Sequence, residues 1–327
     1  LDYNNEPNYN SYSENTYNDR SFTHDSYNWT QNYPTGYYEN TIDGFDIKLD
    51  QSTDYAIYMY EEPIHLKDVV IEDEIRSYRT QFSIDGLKSY TNEGFDAALI
   101  RLFNDNRNEN YTFDFNNLDI HANNDDIIYI YHDTCGSYCG NDINIYLTNS
   151  NLRAGSSGEY DVFQAGCCTG SNADEYINIY NSFIEGDIEH RGLEDFAALR
   201  TTFKNTRFDV SENSGENSYR TMFDMKNCTV HDGYLYARSG GTIQNTIFYP
   251  SIEYQYYNGD SDHTLEFQYS MNIPDDAPVI GVYNISADPY FTDADNEDYT
   301  LLPGSSAIDS ANPDNNNNGT IWNDDTG

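Results

Sequence analysis

The chain has 327 residues, and its 56 acidic residues outnumber its 16 basic ones to give a formal net charge of −40. Contacts to phosphates need clustered Lys and Arg, so this charge excludes a nucleic-acid groove and disfavours an anionic membrane surface as partner. The sequence has no apolar run of about 18 residues, so it predicts no membrane span. Such a charge fits a saline or calcium-rich extracellular setting, where ions screen it, and the alternative is simply a soluble acidic surface.

The first 40 residues are rich in Tyr, Asn and Ser and almost free of aliphatic residues. Such a composition is typical of disorder or of an irregular covering layer, although the many Tyr rings favour some packing. A repeat fold built from stacked coils must also cover its open end. We therefore interpret residues 1–40 as an N-terminal cap, or as an arm that docks on a neighbouring subunit.

From residue 41 to residue 272 one phrase recurs, in which Asn has an apolar residue two positions before it and another three positions after it. KNTRF, KNCTV and QNTIF are examples, around Asn205, Asn227 and Asn245. Apolar and polar residues alternate upstream of the Asn, which is the period of a strand with one buried face. The phrases recur every 18 to 32 residues. This spacing predicts a β-solenoid rather than the longer blades of a β-propeller.

The recurring Asn has a structural explanation that we favour over a ligand-binding role. At a bend, Asn readily adopts a left-handed backbone. Its amide can also bond the equivalent Asn on the next coil and so satisfy an inward-facing polar group. Upstream, Gly44 and Gly86 meet the same backbone demand. The predicted ladder comprises Asn117, Asn149, Asn181, Asn205, Asn227 and Asn245.

Four of the five cysteines fall in one predicted loop cluster. Cys135 and Cys167 each lie ten residues before the equivalent strand position of adjacent coils, and Cys139 and Cys168 are close to them. In a secreted protein this grouping predicts two disulfides among the four, and it leaves Cys228 free and partly buried. A metal site formed by the four thiols is the alternative.

The tail carries a more specific pattern, made of DPYF (288–291), DYTL (298–301) and PGSSAID (303–309). This pattern resembles the C-terminal signature of secreted bacterial right-handed parallel β-helix repeat proteins, the choice-of-anchor and pectate-lyase-like superfamily. The resemblance covers roughly residues 41–312 and implies that they form an all-β, right-handed parallel β-helix, which the irregular Tyr/Asn-rich N-terminal segment precedes. It selects no activity, because the fold hosts lyases, hydrolases, adhesins and structural proteins.

The resemblance raises the possibility of a polysaccharide lyase, in which a basic residue acts as Brønsted base. Basic residues concentrate around Lys204, Arg207 and Lys226, and the repeat frame predicts that Lys204 and Lys226 stack about 5 Å apart on consecutive coils. The interpretation we favour is that both lysines pair with local acids such as Asp209 and Asp224, because the net charge repels a polyuronate. The three basic residues therefore remain a weak catalytic alternative.

A calcium loop is predicted after this tail. Asp314, Asn316, Asn318 and Asp325 follow the alternating-oxygen pattern of such loops, and Gly319 stands at the sharp turn. Asp325 replaces the usual bidentate Glu, which should weaken binding. The alternative is an Asn/Asp-rich terminal linker.

These patterns predict three regions: a cap or arm (1–40), the coils (41–272) and a closing region with the calcium loop (273–327). The predicted function is an extracellular structural or adhesive protein, stabilised by calcium and disulfides, that self-associates, as in a surface filament, or binds a surface polysaccharide. Outward Tyr residues suit either sugar binding or subunit interfaces. A carbohydrate-active enzyme, either a polysaccharide lyase or a glycoside hydrolase, is the alternative.

Overall fold

The architecture comes from a computed structural model of the chain. It describes residues 22–25, 40–47, 56–60, 63–71, 73–91, 98–104, 111–122, 125–132, 143–154, 160–166, 175–191, 193–211, 222–237, 240–250, 252–256, 265–274, 281–308 and 310. Within these residues the regular structure is almost entirely β-strand, and a single turn of 3₁₀ helix spans Ala294–Asn296. The described part of the chain contains no helix with the length and apolar character of a membrane span.

The strands are short and follow one another closely. The first fourteen are β1 (Phe22–Asp25), β2 (Asn40–Asp43), β3 (Asp46–Ile47), β4 (Ile57–Tyr60), β5 (Ile64–Ile71), β6 (Ile75–Tyr78), β7 (Ser83–Thr91), β8 (Ala98–Asn104), β9 (Tyr111–Ala122), β10 (Asp126–His132), β11 (Ile143–Thr148), β12 (Asn151–Ala154), β13 (Asp161–Gly166) and β14 (Glu175–Tyr180). The others are β15 (Phe183–Glu185), β16 (Asp187–Arg191), β17 (Leu193–Leu199), β18 (Thr202–Lys204), β19 (Arg207–Ser211), β20 (Met222–Lys226), β21 (Thr229–His231), β22 (Tyr234–Ala237), β23 (Gly241–Gln244), β24 (Ile247–Tyr249), β25 (Glu253–Tyr256), β26 (Leu265–Gln268), β27 (Phe291–Asp293) and β28 (Asp298–Leu301).

Two long parallel sheets contain all the strands except the last two. Sheet A has ten strands in the order β1-β4-β6-β8-β10-β13-β16-β19-β22-β25, and sheet B has sixteen, including β9-β11-β14-β17-β20-β23-β26. The chain visits the two sheets alternately, and we call each passage through both a rung. β27 and β28 form an antiparallel hairpin. This all-β arrangement is compatible with a parallel β-helix.

The core lies between the sheets and follows from the period-two pattern. In β9, for example, Phe113 and Phe115 are buried, whereas Asp114 between them is exposed. Equivalent positions on successive rungs stack, as Phe196 and Phe223 do with ring centroids 4.9 Å apart. Because each rung leaves its apolar side chains uncovered above and below, only the stack of rungs buries them.

The predicted Asn residues all lie at corners with a left-handed backbone. The φ angles of the six range from 49° to 57°. Their amides bond between rungs in part: Asn245 Nδ2 donates to Asn227 Oδ1 (3.0 Å), and Asn181 Nδ2 lies 3.4 Å from Asn149 Oδ1. The side chains of Asn149 and Asn181 are exposed, however, so the amides do not form an inward-facing ladder.

A buried polar ladder does exist, but the residue after each corner forms it. Each of these small side chains donates to a backbone carbonyl two residues before it, as the Ser150 hydroxyl does to Thr148 O (2.8 Å). Cys228 takes this position on its rung, where its thiol donates to Lys226 O (3.3 Å) and is fully buried. A small donor suits the site because it satisfies a carbonyl without filling core space. The ladder comprises Ser150, Ser182, Thr201, Cys228, Thr246 and Ser270.

The assignment of Asn205 to the same column as the other five Asn residues is wrong. Strand register places Arg200, with φ 52°, between Asn181 and Asn227. Asn205 lies at the next corner of the same rung, in register with Asp232. We call the column containing Asn149 the first corner and the column containing Asn205 the second corner. The short strands β15, β18, β21 and β24 run between the two corners.

Two observations concern the ends of the predicted coil region. Phe22–Asp25, inside the predicted cap, forms β1 and pairs in parallel with β4 as an edge strand of sheet A. At the other end, residues 281–287 form a further rung, because Ile285 bridges Met271 in parallel and Tyr269 N donates to Val282 O (3.0 Å). The stack of rungs therefore extends beyond residue 272 at its C-terminal end.

Candidate functional site

The basic residues that the sequence singled out do not form a site together. Lys204 lies beside Glu185 and His231, whereas Lys226 lies beside Leu199 and Gln244. The predicted Lys204–Lys226 stack is therefore wrong, because the two lysines belong to different corners.

The acids predicted as partners of the two lysines make other contacts. Asp209 Oδ2 lies 3.1 Å from Arg207 Nη2. Asp224 accepts a hydrogen bond from the backbone N–H of Thr242 (2.9 Å).

Lys204 instead belongs to a network of four charged residues that holds the C-terminal hairpin against sheet B. Glu297 follows the 3₁₀ turn with φ 66°, and its carboxylate accepts from Arg153 Nη1 and Nη2 (2.8 Å each) and from Lys204 Nζ (2.7 Å). Glu185 completes the network, 3.0 Å from Arg153 and 3.4 Å from Lys204. These charge-assisted bonds lower the pKa of Glu297 to about 2. The two cations are thus occupied by the chain itself.

An open groove of about 610 Å³ follows the first corner over three rungs. Exposed amides of Asn117, Asn149 and Asn181 line it, together with the Phe183 ring. The Arg153 guanidinium lies 4.3 Å from the centre of that ring. The groove is polar and shallow, and the network described above borders it.

The outer face of sheet A carries a continuous ladder of aromatic rings. Tyr60, Tyr78, Phe103 and Tyr131 are register partners on β4, β6, β8 and β10. Neighbouring ring centroids are 5.4, 6.1 and 5.2 Å apart along this series, and the Tyr60 and Tyr78 planes differ by 7°. All four rings are half-buried, so each keeps surface in contact with solvent. The next strand places Gly166 beside Tyr131, and the ladder ends there.

Three arginines surround these rings. Arg101 lies 5.0 Å from the Phe103 centroid and Arg76 lies 5.6 Å from it, while Arg79 is 4.9 Å from the Tyr78 centroid. The buried carboxylate of Glu74 fixes two of them, 2.6 Å from Arg76 Nε and 3.5 Å from Arg101 Nη1. We call the four rings with Arg76, Arg79 and Arg101 the aromatic–arginine face. It concentrates guanidinium groups on a strongly acidic protein.

Sheet A also carries a cluster of carboxylates at the starts of three strands, whereas Tyr131 of the ring ladder lies near the end of β10. Asp126, Asp161 and Asp187 follow one another at the starts of β10, β13 and β16, and Glu189 is nearby. Asp126 Oδ1 accepts from Asp161 N (2.7 Å). Burial, and then the neighbouring negative charges, raise the pKa of Asp161 to about 7. Asp161 is therefore a buried acid that changes protonation near neutral pH.

The sequence carried a signal for this face that the Asn phrase concealed. In four strands, two outward-facing residues flank one core residue. The triplets are YMY (58–60), RSY (76–78), RLF (101–103) and YIY (129–131). Each has the period of a strand, and each belongs to sheet A rather than to sheet B, where the Asn phrase lies. A search for aromatic residues at period two would have found the aromatic–arginine face.

The predicted calcium ligands Asp314, Asn316, Asn318 and Asp325 lie outside the described residues, as do Cys135, Cys139, Cys167 and Cys168. The calcium loop and the disulfides stay predictions. Among the residues that the structure describes, no group of three or more His, Cys, Asp or Glu side chains is arranged to hold a metal ion.

Comparison with known proteins finds no protein family, no curated protein and no solved structure that matches this chain.

Proposed function

We propose that this chain is a right-handed parallel β-helix that acts outside the cell as an adhesive protein and binds glycan chains through the aromatic–arginine face. The observation that carries the proposal is the in-register ladder of Tyr60, Tyr78, Phe103 and Tyr131. Parallel strands joined by crossovers are right-handed in nearly all proteins, which supports the handedness. The net charge of −40 suits an extracellular setting in which salt screens it.

The chemistry of the face fits a sugar polymer. Aromatic rings offer flat apolar surfaces with polar edges, which suits the faces of sugar rings. Strands of one sheet are about 4.8 Å apart, so four ring-bearing strands extend over about 14 Å, which favours an extended ligand. The guanidinium groups of Arg76 and Arg101 supply fixed hydrogen-bond donors to hydroxyl or acid groups, because Glu74 holds them in place.

Binding to immobilised cellulose, chitin, polygalacturonate and alginate tests this proposal. Phe103→Ala and Tyr131→Ala should each weaken binding about tenfold or more, because aromatic side chains dominate such contacts. Tyr146→Ala is the matched control, since Tyr146 is an exposed tyrosine on sheet B. Circular dichroism checks that each variant is folded. The proposal fails if the wild-type protein binds none of the four, or if Tyr146→Ala weakens binding as much as Tyr131→Ala.

A second candidate function, a glycoside hydrolase, is favoured by one observation. Asp161, with a pKa of about 7, lies among Asp126, Asp187 and Glu189 on sheet A, the sheet that also carries the ring ladder. A general acid that is protonated near neutral pH beside an ionised carboxylate is the pair that glycoside hydrolysis requires. Release of reducing ends from the same polysaccharides, lost in Asp161→Asn and kept in the exposed control Asp295→Asn, would support it. No release by the wild-type protein would reject it.

Calcium and disulfides remain part of the proposal as stabilising features. If the loop from Asp314 to Asp325 binds calcium, millimolar CaCl₂ should raise the melting temperature relative to EDTA in the wild-type protein. Asp314→Ala should remove that difference. Thiol counting under denaturing conditions should find one free thiol if the other four cysteines form two disulfides.

A further inference from the structure

The last described rung, residues 281–287, repeats the geometry of the rungs before it. Tyr283 has φ 61° and occupies the first corner directly over Tyr269, with ring centroids 4.9 Å apart. Ile285 N donates to Ser270 O (3.0 Å), as successive rungs do elsewhere. Gly281 is so close to the previous rung that an added Cβ would lie 2.2 Å from Phe267 O. This rung is therefore a docked member of the stack.

Five of the seven exposed large apolar side chains in the described residues lie between residues 282 and 308. Val282 is 53% exposed and Tyr283 is 70% exposed. Tyr290, Leu302 and Ile308, which follow closely in sequence, are also exposed. Elsewhere in the described residues only Tyr90 and Tyr146 among the large apolar side chains are exposed. Clustered exposed apolar residues are typical of interaction surfaces.

The C-terminal hairpin does not cover this rung. It turns back along the outside of sheet B, where Phe291 contacts Tyr249 and Tyr299 contacts His231, with ring centroids 5.6 and 5.5 Å apart. Glu297 reaches further back, to Lys204 and Arg153. The hairpin thus binds the side of the stack over several rungs and leaves Val282 and Tyr283 exposed.

At the opposite end of sheet B, β2 and β3 flank a first corner in the same way as residues 281–287 do at Tyr283. β2 and β3 are joined at Gly44, which lies at the first corner with φ 74°, and both pair in parallel with β5. At these first corners the backbone N–H donates to a carbonyl of the following rung, that of the residue just before its first corner. Examples are Asn245 N to Gln268 O (3.1 Å) and Tyr269 N to Val282 O (3.0 Å). The next donor in this series is Tyr283 N, and the matching acceptor on β2 is Asp43 O.

We propose that copies of this chain associate head to tail, so that β2–β3 of one copy continue the stack beyond residues 281–287 of another. Neighbouring rungs of sheet B already show this pairing, and the two ends of that sheet present its two complementary sides. A head-to-tail contact of this kind does not close on itself and extends into a filament. Because each copy carries a net charge of −40, association should strengthen as salt screens the repulsion. The inference is independent of glycan binding.

Sedimentation velocity over a range of protein and NaCl concentrations measures the association. Val282→Glu should raise the dissociation constant about tenfold or more, because register places it beside Asp43 of the next copy, and like charges at an interface repel. Tyr283→Ser should weaken association by removing exposed ring surface. Val282→Lys, which places a positive charge beside Asp43 of the next copy, should weaken association less than Val282→Glu does. Tyr146→Ser, on the outer side of sheet B, is the matched control and should behave as wild type.

Three results would each overturn the inference. The first is a wild-type protein that stays monomeric at every salt and protein concentration. The second is association that Val282→Glu and Tyr283→Ser leave unchanged. The third is association that is lost on removal of residues 1–21, because the partner would then be the N-terminal segment rather than β2. All variants change exposed side chains, so circular dichroism should show wild-type folding.

Discussion

Replacing Glu297 with Gln tests how the C-terminal hairpin is held. The two cations lower the pKa of Glu297 from 4.5 to about 2, which corresponds to at most about 3 kcal/mol at 1.36 kcal/mol per pKa unit. The Glu297 side chain is 28% exposed, so solvent screening reduces this, and we expect Glu297→Gln to cost about 2 kcal/mol at pH 7. Hydrogen exchange of β27 and β28 should then be about thirtyfold faster, because the hairpin opens locally.

The pH dependence gives the same experiment a second readout. A carboxyl group whose folded pKa is lowered stabilises the folded state above its unfolded pKa, and that contribution is lost as pH falls through the folded value. Protection of the wild-type hairpin should therefore decrease between about pH 4.5 and pH 2, and this component should be missing in Glu297→Gln. Asp295→Asn, an exposed change in the same turn, is the control. Equal exchange in wild type and Glu297→Gln at pH 7 would refute the reasoning.

Three further predictions concern the stack of rungs. Cys228, whose pKa burial raises to about 12, should resist maleimide in the folded protein, and Cys228→Ser should keep its hydrogen bond and change stability by less than about 1 kcal/mol in urea titrations. Asn149→Ala should cost about 1 kcal/mol because of its φ of 52°, whereas Asn149→Gly should be nearly neutral. Because the pKa of Asp161 is raised to about 7, its ionised form opposes folding, so wild-type stability should fall as pH rises from about 4 to 7. Asp161→Asn should therefore gain up to about 4 kcal/mol at pH 8, and less at pH 5, as measured by urea unfolding at both pH values.

Much of the fold could be predicted from local features of the sequence. Alternating apolar residues, such as Ile145 and Leu147 in β11, indicate one buried face, and both are buried. An Asn at a tight corner indicates a left-handed backbone, which Asn117 and Asn149 adopt. Both signals depend on a few neighbouring residues only. The direction in which the Asn side chain points was not predictable in this way, because it depends on how the next rung packs.

Most of the contacts that define the candidate surfaces cannot be predicted from residues that are neighbours in sequence. Arg153 and Glu297 are 144 residues apart in sequence, and nothing near either residue indicates the other. The aromatic–arginine face is different, because its outward pairs have a period visible within each strand. It was missed because the repeat was aligned on the Asn corner, which belongs to sheet B. Insertions of variable length between the sheets then hide the alignment of sheet A strands.

The misplaced Asn205 shows why a single phrase cannot fix the register of this protein. Each rung has two corners separated by one short strand, and both can accept the same residues: Arg200-Thr201 and Asn205-Thr206 each combine a left-handed residue with a buried threonine. A search for one Asn therefore slips from the first corner to the second wherever the first lacks Asn. This error assigns the short strand β18 to the part of sheet B before the first corner, whereas it lies between the two corners. The correct register removes Lys204 from a supposed lysine pair and places it where Glu185 and Glu297 hold it. In a repeat with two similar corners, one misread residue therefore predicts a lysine stack where the structure has an ion pair.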